Sequence, residues 1–585
     1  LFLRFVAVAL VFLTGWGCQG CRERRALADT SLPAWYPALD SGIRPQDDFY
    51  RFVNSRALAL PMPGNENFWS PVEETRLAAD IQLRKLLLQI ETDGRFPEGT
   101  DQRKALNFFK TAGDSAALNR LGTGALRPWL NEIAGVRTAE DFIRTHDRLT
   151  QLGINGLWLW QTAGSHTAVF VPTSPQSAES AGTGPVITAA FRKLGNSASV
   201  ARSKATQIID FKNELSRVAR QGRGRTYRAA LDAWQKRLRI NWSVSIRESE
   251  TDSVAIANLP YWDLINRWLS DKSNLTEARD LLAWLLLSQT AHVISPEWQR
   301  IITPDARPWW RHALHLTKQA FPDVFARLYL SPGTHRQHQR DVEDMVEHLG
   351  LALAEKIKEA NYLNDSVKQN LLTKLSKIQL APHPPQPFRS YTDVTLAPLP
   401  GAGGLAGLWL NWVGRGHVPL MPDSLLLRQP FEPTVVYTND ELVIPACLLQ
   451  FPWIADAAGW SYGALGVMVS QALLTPVHRE LSFVRAISAS DAFLLVNALD
   501  VARRAAVRYE MERFSGQSPP FFWNHFYTAF AFSMRAAHRR DAAIGAERAA
   551  GVYDVLSSTD AFLNYWQVGE RDKMFRQGRY RTPIW

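Results

Sequence analysis

Tyr462-Gly-Ala-Leu-Gly-Val-Met-Val-Ser-Gln-Ala-Leu-Leu-Thr-Pro-Val-His-Arg-Glu480 is the stretch on which the reading of this chain turns. Apolar residues run almost unbroken from Leu465 to Leu474, which predicts a buried helix. Gly463 and Gly466 fall in its first turn, and Pro476, which has no amide to donate to the preceding turn, is expected to stop it. Just ahead lies Glu441-Leu-Val-Ile-Pro445, in which Leu442 to Ile444 reads as a short strand. The order is therefore strand, aromatic-rich connection, glycine-marked turn, apolar helix.

With Tyr462-Gly463-x-x-Gly466 opening the helix, this order resembles the neprilysin/endothelin-converting-enzyme family of zinc metallopeptidases. The family's helix carries H-E-x-x-H, two histidines on one face that bind zinc and a glutamate that activates the metal-bound water. Matching Tyr462-Gly463 to the family's Tyr-Gly puts Gln471, Ala472 and Thr475 at the His, Glu and His positions. An amide oxygen and a hydroxyl are poor zinc ligands beside imidazole, and a methyl group cannot take a proton. The family's third ligand lies in a downstream E-x-x-x-D, and the matching stretch is Ile487-Ser-Ala-Ser-Asp491. Ile487 then stands for the ligand, while Asp491 keeps the aspartate that would orient a histidine. His478 with Glu480 forms H-x-E past the proline, which does not reproduce i, i+4 ligation; the expectation for His478 is a surface loop.

Working outward, the most specific likeness is Leu39-Asp-Ser-Gly-Ile-Arg-Pro-Gln-Asp-Asp48-Phe-Tyr-Arg-Phe-Val-Asn54, which resembles the family's D-D-F-Y-x-Y-V-N signature. Asp47 or Asp48 is expected to cap a helix whose Phe49, Tyr50 and Phe52 pack on C-terminal sequence. Residues 1–21 read as an export signal, with Arg4 followed by apolar Phe5 to Leu13, and 22–38 as a linker. Cys18 or Cys21 is a candidate lipid-modified residue, so a membrane-anchored lipoprotein and a periplasmic or extracellular protein are both open. Cys447 is the one further cysteine, which excludes an internal disulfide framework in the mature part.

The 585 residues are 46% apolar with a formal charge of +10, but their basic residues are scattered and no nucleic-acid motif accompanies them, so no nucleic-acid partner is expected. The twenty-one tryptophans imply extensive aromatic packing or a large lined cavity. From Pro71 to about Pro382 the pattern is mostly helical, with apolar residues at helical spacing in Leu77–Ile90, Ala139–Leu152, Leu281–Ile294, Val342–Ile357 and Val367–Ile378. Leu152-Gly-Ile-Asn-Gly156 and Asn258-Leu-Pro-Tyr-Trp262 again resemble the family. The pairs His312/His315 and His335/His338 have no attendant carboxylate at ligand spacing and are expected to be exposed. Gly401 to Gly407 lacks the strand and the Lys-Ser/Thr of a phosphate loop and reads as a connection.

A rival motif overlaps the organising stretch. Gly459-Trp-Ser461-Tyr-Gly463 fits G-x-S-x-G, and Asp491 then His525 follow in the order of a serine-hydrolase triad. The elbow needs a buried strand directly before it and an alternating strand–helix fold, neither of which the sequence offers, so Ser461 is read as the helix N-cap. Nearer the C-terminus, Phe526 to Arg535 resembles another family helix, and Arg548-Ala-Ala-Gly551 matches the family's substrate-binding R-x-x-G, while Ala542 replaces its transition-state histidine. Arg548 is thus a candidate substrate-binding residue, or alternatively an internal partner of Asp491.

The resemblance implies a mainly α, two-lobed neprilysin-like fold: a helical N-terminal region over 39–395, and a thermolysin-like C-terminal region over 396–585 with a small β element around Val435 to Ile444. The function expected is a catalytically silent, exported relative that binds peptides or a protein partner, with no catalytic residue, no metal ligand and no zinc. A working metalloendopeptidase with a non-standard site is the alternative, and a serine hydrolase using Ser461 a third reading.

Overall fold

A computed structural model describes residues 37–582 apart from 64–65, 164–165, 174–182, 223–225, 237–239, 247–250, 304–307, 334–335, 337, 362, 382–389, 392–404, 410–426, 439, 482–490, 516–518, 520 and 540. Cys18, Cys21, the export signal, His335 and Ile487 therefore lie outside the described residues.

The signature near the N-terminus forms the helix Phe49–Leu58, and Asp48 is its cap, the carboxylate accepting the Arg51 amide at 2.9 Å. Phe49, Tyr50, Phe52 and Val53 are buried against sequence almost five hundred residues downstream. Phe49 meets Phe562 and Trp566 edge-on, each at 5.0 Å between ring centroids, and Phe52 meets Trp566 at 6.0 Å. Asn54 donates to the Ala531 carbonyl at 2.9 Å, and the Tyr50 hydroxyl accepts from the Ala536 amide at 3.2 Å. Strand β1 (Phe68–Trp69) then pairs antiparallel with Ala537–His538. N-terminal and C-terminal sequence thus pack on each other, as the aromatic pattern of the signature predicted.

The helical spacings of the middle region are realised as Pro71–Gln89, Ala139–Gln151, Leu275–Ile294, Gln339–Glu359 and Asp365–Ser376. Ser70 caps the first of these, and Thr138 with Asp141 forms a capping box on the second. A four-stranded sheet was not anticipated inside this second, mainly helical lobe. Strands β2 (Trp158–Ala163) and β3 (Thr167–Pro172) form a hairpin, β5 (Ser253–Ile256) runs parallel to β3, and β4 (Tyr227–Ala230) closes the order β2-β3-β5-β4. Its core is aromatic: Trp158 lies 5.9 Å from Phe170 and 5.1 Å from Trp242, which accounts for part of the tryptophan load. The strands are short, and two helices, Thr183–Lys193 and Ala198–Gln221, part the β2–β3 hairpin from β4 and β5, so helical periodicity dominated any wider window. The expected β element is present as β6 (Gln379–Leu380), β7 (Val436–Thr438) and β8 (Glu441–Val443), in the order β6-β8-β7.

A buried charge network ties these parts together. Lys318, on the helix Trp309–Ala320, contacts Asp80 at 3.0 Å and Glu432 at 2.8 Å. Arg311, on the same helix, contacts Asp80 at 3.0 Å and also Glu66. Arg76 reaches Glu432 at 3.2 Å and pairs with Glu73. N-terminal, central and C-terminal sequence therefore meet in one ionic cluster. Burial alone would lower the pKa of Lys318, but Asp80 and Glu432 outweigh it and raise the pKa, so the ammonium stays charged. The partly apolar wall includes Phe431, whose ring lies 5.0 Å below the Lys318 ammonium. Removing one member of such a cluster strands an uncompensated charge, so Lys318→Met is expected to cost about 3–5 kcal/mol. Chemical unfolding of the variant checks this; a cost below about 1 kcal/mol would mean that the network does not brace the fold.

Candidate functional site

The organising stretch is one continuous helical rod. It begins at Ala458–Ser461, passes through a wider π-type turn at Tyr462–Gly466 and continues as Val467–Leu481. Pro476 does not stop it. Proline inside a helix removes one backbone bond, yet the turns on both sides are held by packing against the helix Asp491–Phe514. Thr475 adds a side-chain bond to the Gln471 carbonyl at 3.1 Å. The expectation of a stop at Pro476 is corrected accordingly, and with it the loop placement of His478.

This continuity sets the geometry of the candidate site. Gln471, Thr475 and His478 follow the i, i+4, i+7 spacing of one helix face, and each is half-buried; Ala472 is buried beside them. The His478 ring lies 6.4 Å from Phe493, and its Nδ1 is buried without a hydrogen-bond partner among the described residues. Of the downstream match, Ile487 is not described, and Asp491 opens the helix Asp491–Phe514 with its side chain outside the description. The described donors on this face do not fit zinc: a neutral amide, a hydroxyl already donated to the backbone, and one imidazole at the wrong spacing for a pair. Among the described residues no group of three His, Cys, Asp or Glu side chains is arranged to hold a metal ion.

The G-x-S-x-G reading fails on geometry. A Cβ built on Gly459 would meet the Phe522 carbonyl oxygen at 2.3 Å, and one on Gly463 would meet that of Phe526 at 2.0 Å. The two glycines, one helical turn apart, let the rod lie directly on the backbone of the helix Phe522–Ser533. Ser461 is neither an N-cap nor an exposed nucleophile. The cap position is Ala457, and the buried Ser461 hydroxyl accepts from the Ala455 amide and donates to the Ala455 carbonyl, both at 3.1 Å. Turns, not a strand, precede it.

Two polar links were not anticipated. Tyr462, at the π-type turn, meets His348 Nδ1 at 2.6 Å, and His348 Nε2 meets Glu512 at 3.0 Å. Lys356 reaches Asp500 at 2.7 Å, with Arg503 and Arg504 on the same carboxylate. A sequence signal existed: His348 and Lys356 fall on the apolar stripe of Gln339–Glu359 with Met345, Leu349 and Leu353, where a polar residue demands a buried partner.

Arg548 is exposed on the helix Ala542–Ser557, which packs on the signature helix and on Asp491–Phe514. It forms no ion pair among the described residues, and its charge reaches the Tyr50 phenol. Burial is the main influence there and raises the Tyr50 pKa, against opposing contributions that include Arg548. Next to it, Ala549, Ala550 and Tyr553 face Asp47, Asp48 and Tyr50 across a cleft of about 210 Å³.

The histidines of Arg311-His-Ala-Leu-His315 are half-buried, not exposed. His312 Nε2 donates to the His292 carbonyl at 2.7 Å, and the two rings lie 6.0 Å apart, with Trp409 against His292 at 5.9 Å. Burial pushes both His292 and His312 down to about 4. His338 is also half-buried and not exposed as expected; it stands at the start of Gln339–Glu359 beside Asp341 at 3.3 Å.

Comparison with known proteins gives this architecture its class. The model of peptidase family M13 matches residues 45–381, more than half of the chain. The chain belongs to peptidase family M13, the family of the neprilysin-like zinc metallopeptidases. Among solved structures, the Mycobacterium tuberculosis zinc metalloprotease Zmp1 bound to an inhibitor aligns with a TM-score of 0.72 at 16% identity, over 94% of this chain and 99% of that one. PepO from Lactobacillus rhamnosis aligns with a TM-score of 0.69 at 17% identity, over 93% of this chain and 100% of that one. The open state of Zmp1 gives 0.60 at 17% identity, over 93% and 100%. These likenesses establish a mainly α, two-lobed fold. No curated protein sequence matches the chain.

The two readings of the glycine motif are separable by substitution. Gly463→Ala is expected to abolish soluble folding or lower the melting temperature sharply, because the added methyl meets backbone and not a movable side chain. Gly551→Ala, with nothing within 4 Å of the new methyl inside a helix, is expected to be neutral or to stabilise by up to about 1 kcal/mol. Thermal melts of both variants decide the matter; a well-folded Gly463→Ala protein would contradict the close-approach account.

Proposed function

We propose that this chain is a catalytically silent member of its peptidase family, an exported protein that binds peptides or a protein partner within the inherited two-lobed fold. What supports the reading is the face of the Val467–Leu481 helix: with Tyr462-Gly463 matched to the family's Tyr-Gly, Gln471, Ala472 and Thr475 fall against the two zinc ligands and the general base. Without a metal and a base there is neither water activation nor stabilisation of the charge that develops on a cleaved amide. What this face offers instead is neutral hydrogen-bonding groups, suited to the amides of an extended peptide. Arg548 is proposed as an anion contact for such a ligand, its exposure leaving the guanidinium available for a carboxylate. The leader reading and the candidate lipid anchor at Cys18 or Cys21 support export.

A second reading, a peptidase with a non-standard site, draws on one observation. Helix continuity through Pro476 places His478 on the Gln471–Thr475 face, with an unpartnered ring nitrogen. A single imidazole beside an amide and a hydroxyl remains a weak metal site, so the silent reading stands first.

The test is an oligopeptide library incubated with the natively purified chain, with capture and cleavage read in parallel. Capture without cleavage, weakened by Arg548→Ala in a protein of unchanged melting temperature, is the expected result. Chelator-sensitive cleavage that His478→Ala abolishes would establish the second reading instead.

A further inference from the structure

The helices Thr183–Lys193 and Ala198–Gln221 form an antiparallel hairpin in the second lobe, joined by a turn with Gly195 at φ +94°. Their inner faces, Ile187, Ala190 and Phe191 on one and Ala201, Ala205 and Ile208 on the other, are buried. Along the seam above these faces lies a groove of about 450 Å³, with Ala205 in its floor and Gly184, Thr188, Ile209 and the arginines Arg192 and Arg202 among its lining. The groove is open to solvent, and its volume is enough to admit a small molecule.

The groove is polarised along its length. Arg192 is in the last turn of the first helix and Arg202 follows the first turn of the second, so both stand at the hairpin-turn end. The positive N-terminal end of the second helix, capped by Ser197, adds to the same end. Gly184 and Ile209 form the opposite, apolar end. The neighbouring lysines show how unusual the arginines are. Lys193 is paired with Glu297 and Lys204 with Asp280, both at 2.7 Å, whereas Arg192 and Arg202 form no ion pair among the described residues.

The floor also lacks free side-chain hydroxyls. The Thr188 hydroxyl donates to the Gly184 carbonyl at 2.9 Å and that of Thr206 to the Arg202 carbonyl at 3.2 Å, so each turns back on its own helix. A peptide laid along this floor would find no such group to meet its amides. An alkyl chain needs none.

We infer that this groove is a binding site for a single-chain amphiphile with an anionic head, of the fatty-carboxylate class. The carboxylate lies between Arg192 and Arg202, and the chain runs toward Ile209. The site is independent of the metallopeptidase face and of the function proposed above.

Titration calorimetry of the full chain with dodecanoate, below its micelle concentration, tests this. One saturable equivalent is expected, with binding at least tenfold weaker for dodecanol and for the double variant Arg192→Gln/Arg202→Gln. Both arginines are exposed, so the double variant is expected to melt as the parent does. A second variant, Ile209→Asp, is expected to weaken dodecanoate binding from the apolar end. Absence of saturable binding, equal binding of dodecanol, or undiminished binding to the double variant would each overturn the assignment. So would displacement of dodecanoate by a short peptide with a free C-terminus as effectively as by decanoate.

Discussion

Gly463 has no room for a side chain: a Cβ there would come within 2.0 Å of the Phe526 carbonyl oxygen. That approach, repeated at Gly459 over Phe522, seats the central rod on the helix Phe522–Ser533 backbone to backbone. The lower helix in turn receives the signature helix, through Asn54 on the Ala531 carbonyl and through the Phe49, Phe562 and Trp566 aromatic cluster. Three segments are thereby fixed together, the rod and the lower helix at a distance that allows no added methyl group at Gly459 or Gly463.

Buried charges make a second tie. Asp80, Lys318 and Glu432 join N-terminal, central and C-terminal sequence through buried opposite charges. Lys356 with Asp500, and Tyr462 with His348, fasten Gln339–Glu359 to the rod and to Asp491–Phe514. Glycine packing and buried ion pairs thus hold the family fold together at these contacts.

Much of this was legible in the sequence, for reasons specific to each element. The signature helix declared itself because a capping aspartate and three aromatics at helical spacing leave little choice of structure. The small β element followed from the β-branched and apolar run ending at Ile444. Pro476 misled because proline is read as a stop, whereas tertiary packing carries the helix past it and brings His478 onto the Gln471 face. Ser461 misled because a glycine–serine–glycine pattern looks the same whether the glycines serve a strained elbow or a close helix crossing. Only the neighbour decides, and the neighbour is sixty residues away. The four-stranded sheet was hidden because its strands are brief and its two halves are parted by a pair of helices.

The central claim is that this chain keeps the architecture of a zinc peptidase while the helix face that would hold the metal no longer can. Elemental analysis of the chain, purified in its native state without chelator, addresses it most directly. The account predicts zinc far below one equivalent per chain. One equivalent of zinc that survives extensive dialysis would contradict it.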